Sequence, residues 1–332
     1  MKMKYYLTLL TFVLSMILSF SGCREYKTTT KINSDGSCDR TVIVKDKTVL
    51  PDSIVFPIPA DKSWKIERTK AKDDSTQTIY KATKHFDDVN SINNEYLDKS
   101  KIGIRTNLDK KFRWFYTYFT YEETYQSFFP FKKIPLNEFL TKQEYELYLK
   151  NDTTKVFKKR LEKYAEENYF EYFFDEFLSL LKKNKIADLT PDFVASKKSV
   201  LFEHISEHGD KTEDLMKYLE KVLGTKSVWK LRTGIDNIVK SILEKMDQFS
   251  TANGSYKNEV AMPGIILNTN AKTVEGNKVI WEFDEDRFCY EDFTMQVEAR
   301  FVNTWAFIVS GVIVLVAIVL LVLPKLRRKK VV

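Results

Sequence analysis

An uncharged stretch over residues 305–324 constrains the fold of this chain more than any other feature. At a rise of ~1.5 Å per residue, a helix of this length crosses the ~30 Å hydrocarbon core of a bilayer. Trp305 and Phe307 stand where aromatic side chains anchor the outer end of a span. A basic tail, residues 325–332, follows at once. The positive-inside rule therefore predicts one transmembrane helix, a cytoplasmic tail and an extracytoplasmic bulk.

The first residues have the parts of a secretory signal: a basic start, an apolar run over residues 5–20, and small residues before Cys23. The run is shorter than the ~20 residues that span a bilayer. Its end, Phe20-Ser21-Gly22-Cys23, resembles a bacterial lipobox, although Leu is usual where Phe20 stands. The resemblance implies a signal peptide over residues 1–22 and a lipid such as palmitate on Cys23. The alternative is an ordinary signal peptide or an uncleaved anchor in which Cys23 carries no lipid. Together, the two ends predict attachment to one cytoplasmic membrane.

The charge of the chain excludes one class of partner. Seven of its 53 Lys and Arg residues lie in the two terminal segments, so the other 46 match the 46 Asp and Glu residues. Nucleic-acid binding needs a basic surplus, and we therefore expect no nucleic-acid partner. Aromatic residues make up 14% of the chain, which favours a folded domain between the anchors.

Strand patterns on both sides of a helical pattern predict the domain organisation. Residues 26–45 have the pattern of a hairpin with a turn at 33–37. Apolar residues recur at helical spacing from residue 136 to about 249. We therefore predict an α+β fold: an antiparallel, β-rich, membrane-proximal domain with an inserted α-helical block and a single C-terminal transmembrane helix. The predicted segments are 23–130 and 253–304 for the β-rich domain and 131–252 for the block. Further strands are predicted at 64–69, 76–82, 101–106, 112–121, 256–261, 265–269, 279–283 and 293–301.

Short motifs at the two ends suggest a family. Lys31-Ile32-Asn33-Ser34-Asp35-Gly36-Ser37 follows the lipobox, and Met262-Pro263-Gly264 with Trp281 precedes the terminal span. In these segments the chain resembles LppM-type bacterial envelope lipoproteins. The resemblance implies an anchored α+β envelope domain and brings no catalytic residues with it.

Cys38 and Cys289 remain as an even pair if Cys23 carries lipid. In an oxidising compartment such a pair can form a disulfide. Two buried free thiols are the alternative, because sequence does not show whether the two Cα atoms come close.

One motif suggests metal chemistry. His204-Ile205-Ser206-Glu207-His208 follows the H-x-x-E-H order, in which His204 and His208 hold zinc and Glu207 acts as general base. No third ligand is marked, and a His is favourable at a helix C-terminus for dipole reasons alone. The acidic pairs Asp87-Asp88 and Glu122-Glu123 and the run Asp284-Glu285-Asp286 fit ordinary turns. We therefore expect no catalytic residue, no metal and no cofactor.

These observations predict a non-enzymatic, doubly anchored envelope lipoprotein that binds a protein partner or envelope component at the membrane surface. The helical block is the expected recognition element. One alternative is lipid or glycan binding in a cavity between sheet and helices, lined by Trp114, Tyr116 and Phe119. Because the strand over 112–121 is apolar on both faces, packing inside the core is the competing interpretation. The other alternative is a metal-dependent hydrolase that uses the H-x-x-E-H helix.

Overall fold

Most helices lie in one stretch of the chain, between two stretches of strands. The computed structural model describes residues 24–46, 63–71, 76–96, 103–150, 155–208, 212–249 and 254–328. The predicted α+β class is confirmed, with two mostly antiparallel sheets and ten α-helices in the described residues. The strands are β1 Glu25–Ile32, β2 Cys38–Asp46, β3 Lys65–Lys70, β4 Thr78–Phe86, β5 Ile104–Phe112, β6 Tyr116–Tyr125, β7 Ser255–Ala261, β8 Ile265–Thr269, β9 Thr273–Glu275, β10 Lys278–Asp284 and β11 Phe293–Val302.

The helices lie mainly between β6 and β7. They are α1 Asn93–Tyr96, α2 Leu136–Phe139, α3 Lys142–Leu149, α4 Lys155–Asn184, α5 Pro191–Ala195, α6 Lys198–His208, α7 Thr212–Leu223, α8 Arg232–Phe249, α9 Asp286–Cys289 and α10 Thr304–Arg328. Single 3₁₀ segments, Val89–Ile92 and Lys226–Leu231, precede α1 and α8. The helices α2 to α8 are called the helical block below.

The larger sheet joins the two halves of the chain. Its strand order is β3-β4-β2-β1-β7-β10-β9, and all neighbours are antiparallel except β1 and β7, which run parallel. Tyr26 of β1 pairs with Tyr256 of β7, although the helical block separates them in sequence. The block is therefore an insertion into a sheet that both halves complete.

The smaller sheet, ordered β5-β6-β11-β8, packs on the larger one. Apolar residues of both sheets form one core, with Val42 and Tyr80 on one side and Phe119 and Val297 on the other. The gap between the predicted strands at 101–106 and 112–121, residues 107–110, lies inside β5, and the chain turns at residues 113–115 instead. The polar residues at 107–110 mislead because β5 is an edge strand, where polar side chains are tolerated.

The sandwich has two distinct ends. At the first, called the span pole, β11 ends at Val302 and leads into α10 beside the turn at residues 113–115. At the other, the far pole, Tyr125 ends β6 with its ring centroid 6.4 Å from that of Tyr256. The ring of Tyr26 stacks on Tyr256 at 4.7 Å, so β1 begins at the far pole. A ten-residue strand such as β11 covers about 30 Å between the poles.

The helical block has a core of its own, built around the long helix α4. Phe173 and Phe177 of α4 pack with Ile235 of α8 in a cluster separate from the sheet core. Gly234 lets α8 approach α4 closely, since an added Cβ would lie 2.6 Å from the Leu180 side chain. A third cluster joins the block to the far pole, where the Phe129 backbone amide donates a 3.0 Å hydrogen bond to the Cys289 carbonyl.

Among the described residues, one helix is long and apolar enough to cross a bilayer. It covers Thr304–Leu323 within α10, and only 6% of its most apolar window is buried in the protein. A core helix of a soluble domain would be mostly buried, so this exposure agrees with the predicted location of a span.

Candidate recognition groove

An open groove of about 480 Å³ lies on the helical block, between α4 and the short helices α5 and α6. Thr190 starts α5, because its side chain accepts a hydrogen bond from the Phe193 amide and Pro191 occupies the first turn. The lining residues are Glu167, Phe170, Glu171, Ala195, Ser196, Lys198, Ser199 and Phe202.

The floor of the groove is aromatic. The rings of Phe170 and Phe202 meet edge to face, with centroids 5.0 Å apart. Phe170 is buried, whereas Phe202 is partly open to solvent. Two further apolar side chains on the same short helices are exposed, Phe193 by 38% and Val200 by 48%. Exposed apolar surface of this kind is typical of a contact site for another molecule.

Carboxylates dominate the α4 side of the groove. Lys198 forms an ion pair of 2.7 Å with Glu171, and its Nζ lies 5.3 Å from the centre of the Phe174 ring. Glu167 faces the same groove. The preceding residue, Glu166, does not line the groove; burial and the neighbouring Glu162 raise its pKa. An apolar group that carries a positive charge matches this arrangement best.

The residues of the alternative zinc site lie on α6, after the part of this helix that lines the groove. His204, Glu207 and His208 belong to this helix, but their side chains fall outside the described part of the structure. Among the side chains that are described, no group of three or more His, Cys, Asp or Glu could hold a metal ion. The expectation of a metal-free protein stays a prediction.

The disulfide considered from the sequence is not formed in the structure, where Cys38 and Cys289 are both buried and free. Cys38 lies in the sheet core and Cys289 in the cluster that joins the block to the far pole, so the two thiols pack in different clusters. Burial raises the pKa of Cys38 to about 12 and also raises that of Cys289, which suppresses thiolate chemistry at both sites. Cys23 lies outside the described residues.

The three aromatic residues proposed to line a lipid or glycan cavity lie in different surroundings. Phe119 is completely buried in the sandwich core. Trp114 is 45% exposed and lies in the turn between β5 and β6, where its ring meets Trp305 of α10. Tyr116 contacts Phe307 of the same helix. The interpretation of residues 112–121 as a strand covered on both faces is also wrong, because Phe112 and Phe115 are exposed at the turn.

One residue of the acidic pair Glu122-Glu123, which resembled a turn feature, is part of the sandwich core. Glu123 is fully buried, and each of its carboxylate oxygens accepts a 2.9 Å hydrogen bond from the Arg40 guanidinium. Tyr121 and Asn258 also donate to this carboxylate. Burial works to raise the pKa of Glu123, but the Arg40 charge and these hydrogen bonds outweigh it and lower the pKa. Alternation along β6 could have revealed the buried position, since Phe119 and Tyr121 share its face.

The other acidic segments lie at the surface or at the far pole. Asp88 caps the 3₁₀ segment after β4, as the turn interpretation requires. Burial, together with the neighbouring charge of Asp286, raises the pKa of Glu285 to about 7. Its carboxylate accepts a 3.2 Å hydrogen bond from the Gly254 amide, at the point where the chain returns from the helical block.

Comparisons with known proteins give little. No protein-family model matches the chain, and no curated protein matches it. Among solved structures, the chain is similar to the NMR structure of the folded domain of the Mycobacterium tuberculosis LppM protein. The alignment covers 86% of this chain and 94% of that chain, with 10% sequence identity and a TM-score of 0.33. A similarity this weak does not show a shared fold.

Proposed function

We propose that this chain is a cell-envelope protein held in the cytoplasmic membrane by α10, with residues 325–332 in the cytoplasm and the sandwich outside. In this proposal Cys23 is the lipidated first residue after removal of residues 1–22. The exposed apolar surface of α10 and the basic residues after it support the membrane location. The proposed role is binding, without catalysis or a cofactor.

The helical block is the proposed recognition element. The observation that carries this proposal is its separate core, positioned at the far pole of the sandwich. The two sheets connect to α10 without it, because β1 pairs with β7 and β6 pairs with β11. A block that neither completes a sheet nor contributes to the anchor is available for binding.

The proposed partner is a protein that presents an apolar side chain next to Lys or Arg. Phe170 and Phe202 supply an apolar floor, and Glu167 and Glu171 supply negative charge beside it. Lys198 lies 2.7 Å from Glu171, whereas Lys163 lies 3.9 Å from Glu167. Glu167 is therefore the more weakly paired carboxylate and the one proposed to contribute most to the specificity for a positive charge.

Site-directed photo-crosslinking in intact cells tests this proposal. A photoreactive phenylalanine analogue replaces Val200 beside the groove, and a control variant carries it at Lys217, whose side chain is 61% exposed on α7. We expect one discrete protein adduct from position 200 and none from position 217. Adding Glu167→Lys should abolish the adduct by charge repulsion, while Glu213→Lys on α7 should leave it unchanged. Identical adducts from both positions, or an adduct that survives Glu167→Lys, would refute the proposed groove.

A further inference from the structure

The turn between β5 and β6 is fastened to the beginning of α10. Asn303, the residue before this helix, is buried and links the two segments. Its backbone amide donates a 2.9 Å hydrogen bond to the Phe115 carbonyl. Its side-chain Nδ2 donates to the backbone carbonyls of Arg113 (2.9 Å) and Trp114 (3.2 Å). Its Oδ1 accepts a 3.0 Å hydrogen bond from the Thr117 hydroxyl. These bonds fix the direction in which α10 leaves the sandwich.

Aromatic side chains from the turn and from α10 surround this junction. The ring of Trp305 stacks on Phe112 with centroids 6.2 Å apart and meets Trp114 edge to face at 5.2 Å. The rings of Phe115 and Phe307 lie 4.6 Å apart. These five residues are called the aromatic collar: Phe112, Trp114, Phe115, Trp305 and Phe307.

The collar is exposed although it is apolar. The exposed fractions run from 38% for Phe115 to 55% for Phe112, with Trp305 at 50%. Next to it in the turn, Arg113 is also exposed. In water such a contiguous aromatic surface is unfavourable, and its usual meaning is contact with a membrane or another protein. Its continuity with α10 selects the membrane.

The depth of the turn follows from a hydrogen bond to α10. The Trp114 indole Nε1 donates to the Ser310 hydroxyl at 2.8 Å. Ser310 lies six residues beyond Thr304, which is about 9 Å along the helix axis. Trp114 therefore runs alongside the first two turns of α10, at the level where Trp and Tyr concentrate at membrane interfaces.

We propose that the β5–β6 turn is a second membrane-contacting element, inserted into the interface of the bilayer that α10 crosses. This inference rests on the proposed membrane span. Trp114 and Phe115 enter the boundary between headgroups and acyl chains, and the guanidinium of Arg113 meets lipid phosphate. Because the turn and α10 are joined through Asn303, the insertion holds the sandwich upright with the far pole away from the bilayer.

Nitroxide quenching of a thiol-attached fluorophore tests the depth of the turn. The full-length chain is reconstituted into phosphatidylcholine vesicles that carry a nitroxide at the headgroup or deep in the acyl chain. The fluorophore is placed by Phe115→Cys in the collar, Lys111→Cys near it, Val312→Cys in α10 or Lys217→Cys on the helical block. The parent chain, treated in the same way, corrects for labelling at its own cysteines.

We expect the headgroup nitroxide to quench the probes at 115 and 111, the deep nitroxide to quench the probe at 312, and neither to quench the probe at 217. Asn303→Ala combined with Phe115→Cys should reduce quenching of the probe at 115. The same substitution combined with Val312→Cys should leave quenching of the probe at 312 unchanged. If 312 is quenched while 115 and 111 behave like 217, the collar inference is wrong and the span stands. If 312 is not quenched, the proposed span itself is wrong.

Discussion

Removal of the Glu123 carboxylate should destabilise the sandwich far more than removal of a surface carboxylate. Glu123→Leu leaves the Arg40 guanidinium buried between the two sheets without its bidentate partner. Both side chains are at most 1% exposed, so water cannot replace the lost hydrogen bonds. Breaking a buried pair from one side costs about 3–5 kcal/mol. Total stabilities are about 5–15 kcal/mol, so this loss is large.

The double variant Arg40→Met/Glu123→Leu distinguishes a buried charge from a simple packing defect. It removes both charges and fills their space with apolar atoms, and such replacements are often neutral or stabilising. We therefore expect it to recover most of the free energy that Glu123→Leu loses. Glu213→Leu on α7 serves as the matched control, because Glu213 pairs with Lys217 at 3.2 Å on the surface. Such exposed pairs contribute less than about 0.5 kcal/mol.

Urea unfolding of the full-length chain in mild detergent measures these differences through tryptophan fluorescence. Trp64 and Trp281 are both 4% exposed in the sheet core and report on the sandwich. Two results would refute the reasoning. In the first, Glu123→Leu lowers the free energy of unfolding by no more than Glu213→Leu does. In the second, the double variant lowers it by the sum of the losses in Arg40→Met and Glu123→Leu, which would mean that the two charges are not coupled.

Two further predictions concern titratable groups in the same chain. The pKa of Glu285 is raised to about 7 from 4.5, so the folded state favours the protonated form. The free energy of unfolding should therefore fall as the pH rises from 4.5 to 7. Glu285→Gln should raise the free energy of unfolding by about 3 kcal/mol at pH 8 and leave it unchanged below pH 4.5 in the same urea assay. An equal effect at both pH values would contradict this. The second prediction is that Cys38 and Cys289 are free thiols. Reduction without alkylation should then leave the intact mass of the denatured chain unchanged, whereas a gain of about two mass units would reveal a disulfide.

Local features of the fold could be predicted where one segment carries its own signal. The β1–β2 hairpin is such a case, because Gly36 adopts a φ of +103° and the Asp35 carboxylate accepts a hydrogen bond from the Ser37 amide. The helix over Lys155–Asn184 agrees with the predicted helical spacing. Both depend on contacts between residues that are close in sequence.

Pairings between distant segments could not be predicted in the same way. The alternation of core-facing and solvent-facing residue types identifies β1 and β7 as strands. Nothing in this pattern shows that the two strands lie side by side in parallel. The groove could not be predicted for the same reason, since its walls come from α4 and from two later helices, α5 and α6. The β5–β6 turn misled for another reason: Trp114 and Phe115 resembled core residues, because helix α10, which they contact, lies about 190 residues away in sequence.

The positions of the two poles limit how this chain can be anchored twice. Arg24 lies at the far pole, where its carbonyl accepts a 3.0 Å hydrogen bond from the Ser255 amide. Cys23 is its covalent neighbour, so a lipid on Cys23 starts within about 4 Å of Arg24 along the chain. With the aromatic collar in the interface, Arg24 stands about 30 Å above the bilayer. An upright sandwich and a lipid in the same bilayer therefore exclude each other while β1 stays paired. Headgroup quenching at position 115 in the acylated chain would mean that the lipid leaves this membrane surface, and loss of that quenching on acylation would mean that the sandwich lies flat.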